Sequence, residues 1–429
     1  MDLIIRNARL PDGRGPLDIG MVGGRIAALA PGLGAQAARE IDAGGRLASP
    51  PFVDPHFHMD ATLSLGLPRL NRSGTLLEGI ALWGELKPML TPEAVMERAL
   101  RYCDLAVSQG LLAIRTHVDV CDDSLTAVEA LIEVRARVKP WIDLQLVAFP
   151  QDGLYRSPNA EANLLRALDM GVDVVGGIPH FERTMEDGAA SVRRLCAIAA
   201  DRGLPVDLHC DESDDPLSRH IETLASEATR LGLGGRVVGS HCTSMHSMDN
   251  YYATKLIPLI AESGIHIVPN PLINITLQGR ADTYPRRRGL TRIPELRAAG
   301  VNLAFGQDCC MDPWYSLGSA DMLDVAHMGV HAVPMTSREA MRWAFDAVTV
   351  NGAAAMGLPD PTLREGGPAS LVILQARDSI EAVRLRATRL CVIRDGRVLS
   401  ETAPRTARLS LEGRPPLVDA AAYAPDALD

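Results

Sequence analysis

The chain has 429 residues, a formal net charge of −10, and a composition that is 47% hydrophobic but only 4% aromatic, so Leu, Val, Ile and Ala must fill a sizeable core. The densest basic run is Arg286, Arg287 and Arg288, a solvated loop or subunit contact; without a basic stripe, nucleic acid is excluded as a partner and a small, weakly polar ligand is favoured. The eight cysteines include no C-x-x-C pair, which argues for reduced thiols in a cytoplasmic protein, and Met1 to Arg6 offers neither a signal peptide nor a membrane anchor.

In chain order, the first fifty residues read as short strands with turns. Leu3 to Ile5 is apolar, Asp12-Gly13 is a turn signal, Ile19 to Val22 runs into Gly23-Gly24, and Ile26 to Leu29 precedes Ala43-Gly44-Gly45. Eight strand-like apolar runs then follow: Leu47 to Asp54, Leu112 to Val120, Ile142 to Phe149, Val172 to Ile178, Pro205 to Leu208, Arg236 to Ser240, Ile265 to Val268 and Val301 to Phe305. Between them, Pro92 to Ser108, Leu125 to Val138, Glu161 to Met170 and Ser191 to Arg202 show helical apolar spacing. Short apolar strands alternating with helices imply a parallel sheet buried on both faces. Eight such units predict an α/β fold closed into a (β/α)8 TIM barrel over residues 51–357. Ser370 to Leu374 and Leu390 to Ile393, with the Asp395-Gly396 hairpin turn, return to all-β character. Residues 1–50 and 358–429 are therefore expected to pair into a small β-sandwich, and the Ala- and Pro-rich tail from Ala403 is expected to be partly loose.

Barrels of this kind carry chemistry at the C-terminal ends of their strands. Strand one ends in Asp54-Pro55-His56-Phe57-His58, strand five in His209-Cys210-Asp211-Glu212, strand six in His241 and strand eight in Gln307-Asp308. In extended chain His56 and His58 point to the same side, so both imidazoles can bind one ion with His209 and Asp308. Nitrogen and oxygen donors suit one divalent metal, Zn2+ or Fe2+. Barrel enzymes with two metals can bridge them by a modified lysine after strand four; here that end reads Gly176-Gly177-Ile178-Pro179-His180, without lysine. A metal with an open position lowers the pKa of bound water towards about 7. Glu212 would carry protons, Asp308 would hold metal and water, and His241 would orient the water and stabilise developing charge. His117 either lines the cavity or bonds within the structure. His180, His246, His266, His327 and His331 read as structural.

Longer motifs carry a resemblance. Asp2-Leu3-Ile4-Ile5-Arg6-Asn7-Ala8, Pro51-Phe52-Val53-Asp54-Pro55-His56-Phe57-His58-Met59-Asp60 and the late Asp308 resemble the amidohydrolase superfamily. Within it, Ser73-Gly74-Thr75-Leu76-Leu77-Glu78-Gly79-Ile80, Arg115-Thr116-His117-Val118-Asp119-Val120, Val147-Ala148-Phe149-Pro150-Gln151, His209-Cys210-Asp211-Glu212 and Asp312-Pro313-Trp314-Tyr315 look like bacterial cytosine deaminases. The resemblance implies His56, His58, His209 and Asp308 as metal ligands, Glu212 as proton shuttle and His241 beside the reactive water. It implies Gln151 as reader of the pyrimidine amide edge, Leu76, Phe149 and Trp314 as walls of the ring pocket, and a homo-oligomeric state. One departure stands out: where those enzymes carry His-Asp-Asp, this chain has Gln307-Asp308-Cys309. Cysteine is smaller and a poor acceptor, so Cys309 makes this part of the pocket softer. The expected reaction is hydrolytic deamination of a small amino-substituted nitrogen ring: cytosine, 5-methylcytosine, isocytosine or creatinine. Two rivals are an amidohydrolase releasing an alkylamine from an N-substituted triazine, whose pattern has a lysine where Ala61-Thr62 stand, and a barrel that binds without catalysing.

Overall fold

A computed structural model describes residues 1–423. The N-terminal strands are β1 (Leu3–Ala8), β2 (Leu17–Val22), β3 (Arg25–Ala30) and β4 (Arg39–Asp42), joined in the order β3-β2-β1-β4. A second four-stranded sheet takes β5 (Leu47–Ser49) from this end of the chain, β13 (Leu371–Leu374), β14 (Arg389–Arg394) and β15 (Arg397–Glu401) from the other, in the order β15-β14-β13-β5. One core serves both sheets: Leu3, Ile5 and Ile19 from the first meet Leu371, Ile373 and Ile393 from the second. Thus the two ends of the sequence bury each other's apolar faces.

Between them lies the barrel wall: β6 (Phe52–Phe57), β7 (Leu111–Asp119), β8 (Asp143–Phe149), β9 (Val174–Gly177), β10 (Val206–Cys210), β11 (Val237–His241) and β12 (His266–Val268). All seven are parallel and adjacent in chain order. β7 is buried at all nine positions, as a strand covered on both faces must be. The helix over Pro92–Ser108 has the bounds its periodicity predicts, fixed by Thr91 accepting from the Ala94 N–H and by proline in the first turn. The helix expected from Ser191 begins earlier, at Met185, where Thr184 caps it; it ends at Gly203, whose φ of 68° is the left-handed turn a C-terminus needs.

Two sequence expectations are corrected. The run Leu47 to Asp54 is not one strand. Pro50-Pro51 removes two ladder donors, so the chain leaves the sandwich after Ser49 and enters the barrel at Phe52. The eighth barrel strand, Val301 to Phe305, is not a regular strand either. Among the described residues it is bridged to β12 through Ile267 and Leu303, and three residues beyond it Asp308 is bridged to Phe57 of β6. Gly306 explains the irregularity: a Cβ there would fall 2.3 Å from Asn270 Oδ1 and 2.8 Å from His56 Cβ. The segment therefore wedges into the barrel mouth and closes the seven-stranded wall without a continuous ladder. Of the tail, Ala407–Arg408 pairs with Leu417–Val418; the remainder of the expected loose segment, beyond 423, lies outside the described residues. No helix among the described residues is long and apolar enough to cross a membrane. All eight cysteines are free thiols.

Candidate metal centre and active site

Parallel strands deliver their C-terminal ends to one rim, and the structure brings the chemistry-bearing side chains together there. His58 Nε2 lies 3.0 Å from His209 Nε2 and 3.4 Å from Asp308 Oδ1. His56 Nε2 lies 3.6 Å from the same oxygen and has no hydrogen-bond partner. Two donors each about 2.1 Å from one zinc ion stand about 3.0–3.4 Å apart at angles of 90–109°. The His58 contacts with His209 and Asp308 match that spacing, and His56, 3.6 Å from Asp308, lies just beyond it. The chemistry of the four donors agrees. Burial holds the three imidazoles well below the usual histidine range, leaving neutral rings with lone pairs to give. Burial, then the nearby Glu212 carboxyl, pushes Asp308 well above the usual carboxylate range. The residues present fit one divalent ion.

Glu212 is 5% exposed, and burial pushes its carboxyl up to about 8. Its Oε1 lies 3.5 Å from His241 Nδ1, while His241 Nε2 lies 3.7 Å from Asp308 Oδ2. The backbone pays for this placement. His241 has φ 66° and Asp308 φ 69°, a left-handed conformation that costs a non-glycine residue about 1–3 kcal/mol and persists where function requires it. His241 ends β11, Asp308 follows the irregular eighth segment, and the two side chains meet 3.7 Å apart.

The adjoining cavity is lined by His58, His209, Glu212 and Asp308 together with Gln151, Leu76, Cys309 and Trp314. The expected substrate-facing residues are thus gathered there, with one exception. Phe149 stacks on the His209 ring at 4.2 Å and 20° and is not among the lining residues, so it backs the metal site rather than the ring pocket. Ile178, Ile273 and Leu277 supply further apolar wall. Cys309 Sγ lies 3.6 Å from Asp308 Oδ1. His117 is fully buried beneath the donors, its ring 4.3 Å from His56 and its Nε2 3.4 Å from Asp207 Oδ1.

Sequence reasoning missed the residues that hold these groups. Asn274 Nδ2 lies 2.9 Å from His241 Nδ1, and Asn270 Nδ2 lies 3.3 Å from that ring and 3.2 Å from Asp308 Oδ2. The signal was present: asparagines four apart at the start of the Pro271–Leu277 helix share a face. Asp207 and Ser240, two residues and one residue before predicted site residues, were read only as strand.

The amidohydrolase family profile matches residues 39–400. The chain is similar in structure to a 5-methylcytosine deaminase from Klebsiella pneumoniae liganded with 5-fluorocytosine, with a TM-score of 0.92 and 45% identity over 95% of this chain and 99% of that one. It is 30% identical over 409 residues to the N-isopropylammelide isopropyl amidohydrolase of Pseudomonas sp. strain ADP, covering 93% of this chain and 97% of that protein. It is 31% identical over 360 residues to a pterin deaminase of Rhizobium rhizogenes, covering 83% and 81%. A barrel with this donor set at its mouth, matched over this span, belongs to the amidohydrolase family, and the chain is a hydrolase of C–N bonds with cytosine deaminase-like relatives.

Proposed function

We propose that this protein hydrolytically deaminates 5-methylcytosine, and cytosine less well, to the oxo pyrimidine and ammonia. The observation that carries the reading is one cavity in which three metal donors, the proton carrier Glu212, the amide Gln151 and the thiol Cys309 all meet. His56, His58, His209 and Asp308 would hold the metal, Zn2+ or Fe2+. A bound divalent ion supplies Lewis acidity that makes water a competent nucleophile near neutral pH. The protein's own groups do the rest. Gln151 donates to and accepts from the O=C–N–H edge of the ring, which fixes the amidine carbon near Asp308. His241, held by Asn270 and Asn274, hydrogen-bonds the oxygen that adds to that carbon. Glu212 takes a proton from the adding water and gives it to the ring nitrogen. The oxygen now on that carbon gives its remaining proton to the same carboxylate, which passes it to the amino group; the C–N bond breaks, ammonia leaves and the carbonyl forms. Water and amidine in, amide and ammonia out: atoms and charge balance.

The softened wall at Cys309 supports a substituent on the ring carbon next to the reacting one. So does the likeness to the Klebsiella enzyme. The likeness to the Pseudomonas amidohydrolase favours a second reading, release of isopropylamine from N-isopropylammelide; Ala61-Thr62, where that pattern has lysine, weighs against it. A screen of the metal-loaded enzyme against 5-methylcytosine, cytosine, isocytosine, creatinine and N-isopropylammelide separates the two. Ammonia from 5-methylcytosine at the highest kcat/KM is expected. Isopropylamine as the dominant product would overturn the proposal.

A further inference from the structure

Beneath the metal donors lies a buried hydrogen-bonded chain that the reaction itself does not use. His56 Nδ1 is 2.9 Å from Ser240 Oγ, and Ser240 Oγ is 2.9 Å from Asp207 Oδ1. The other carboxylate oxygen, Oδ2, accepts from Arg115 Nη1 at 3.0 Å, and Arg115 Nε is in turn fixed on Gln145 Oε1 at 3.0 Å. His56, Asp207 and Ser240 are fully buried, and Arg115 is 1% exposed, so water cannot rearrange the pattern.

We propose that Asp207 and Ser240 are positioning residues that lock His56 into the one tautomer able to bind the metal; the proposal rests on the metal site described above. Asp207, paired with Arg115, is a carboxylate and can only accept. Ser240 has one hydroxyl proton, and that proton must point at Asp207, or two oxygen lone pairs would face each other at 2.9 Å. Its oxygen is then left as an acceptor towards His56. The His56 ring must therefore carry its proton on Nδ1, or a nitrogen lone pair would face an oxygen lone pair at the same distance. With Nδ1 protonated, Nε2 keeps its lone pair, and Nε2 is the atom that has no hydrogen-bond partner and faces Asp308. His117, 3.4 Å from the same Asp207 oxygen and stacked obliquely on His56, holds the ring from below.

The decisive measurement is metal binding, which needs no substrate. In Ser240→Ala the Nδ1–H loses its acceptor. In Asp207→Asn the amide can donate to Ser240 and reverse the chain, placing the proton on Nε2. Zinc affinity, read by chelator competition, is expected to fall about 10–100-fold in both variants, the usual cost of losing such a partner. The visible absorption of the Co2+-loaded protein is expected to shift, and Ser240→Thr is expected to restore both. Affinity and cobalt spectrum unchanged in Ser240→Ala, with only the melting temperature lowered, would overturn the proposal in favour of a purely structural role. Should Asp207→Asn fail to fold, 15N shifts of the metal-free wild-type protein decide: protonated Nδ1 on His56 supports the lock, protonated Nε2 refutes it. These readouts are independent of the deamination reading, since a protein inert to every ring in the screen would still show them.

Discussion

Glu212 and Cys309 face the same cavity with opposite jobs, one moving protons and one shaping space, and substitution separates them. A buried carboxyl pushed to about 8 gives and takes protons near neutrality, which a glutamine cannot do. Glu212→Gln is expected to cut kcat by about 10³-fold, within the usual range for a lost acid–base group, with metal content unchanged by elemental analysis. Near wild-type turnover would remove Glu212 from the mechanism. The Cys309 thiol donates to Asp308 Oδ1 at 3.6 Å, so an aspartate at 309 adds a third carboxyl to the buried Asp308 and Glu212 and fills the room for a ring methyl. For Cys309→Asp, the kcat/KM ratio of 5-methylcytosine to cytosine is expected to fall by about 10-fold or more, the scale on which one methyl group is sensed. An unchanged ratio would show that this residue does not select the ring. At this scale the sequence was informative wherever chemistry is local in the chain. His56 and His58 share a side because strands have a period of two, and Glu212 follows His209 closely. It was silent on Asn274, Asp207 and Ser240, because their partners lie 33 to 184 residues away and no spacing rule reaches so far.

The elements that were legible are those whose patterns are self-contained. The Pro92–Ser108 helix shows both its cap and its apolar stripe in sequence. The Val301 to Phe305 segment reads as strand because its residues are apolar, but its geometry is set by Gly306 and Asp308 packing against distant groups. The same long-range control acts on the helix over Leu76–Leu86, which brings Leu76 to the cavity. Gly79 lies on its inner face, where an added Cβ would sit 2.3 Å from Trp314 Cδ1. In an exposed helix, glycine to alanine gains about 1 kcal/mol. Here overpacking costs about 1–3 kcal/mol and wins. Trp314, whose ring centroid is 6.0 Å from that of His58, would be pushed from its place. Gly79→Ala is therefore expected to raise KM about 10-fold or more, with an altered tryptophan emission and little loss of bound metal. A KM equal to wild type would mean that the helix, rather than Trp314, absorbs the extra carbon.

At the scale of the molecule, the sandwich is the part that composition alone could not join: one of its sheets pairs β5 with β13, more than 300 residues away, and only the apolar strand-like runs at both ends of the chain hint at the pairing. Where its core residues Leu10 and Leu363 meet the barrel side at Phe345 and Thr349, a cavity of about 260 Å³ takes in Asp346. Asp12 is the other charged group on its wall, and Asp346 has no ion pair among the described residues. Burial alone pushes the Asp346 carboxyl up to about 6. The sign follows from linkage. The folded protein holds this proton more tightly than the unfolded chain, whose aspartate titrates near about 3.9, so the group's favourable contribution is complete below that value and is lost as pH rises through about 6. At pH 7.5 an ionised carboxylate is left poorly solvated at the C-terminal end of the Arg338–Asp346 helix, where the helix dipole also disfavours negative charge. Asp346→Asn removes that charge and keeps the size. Its melting temperature is expected to exceed wild type by about 1–3 °C at pH 7.5, and the gap is expected to close at pH 5, where the wild-type group is protonated in the fold. A gap of the same size at both pH values would trace the gain to packing and not to the buried charge.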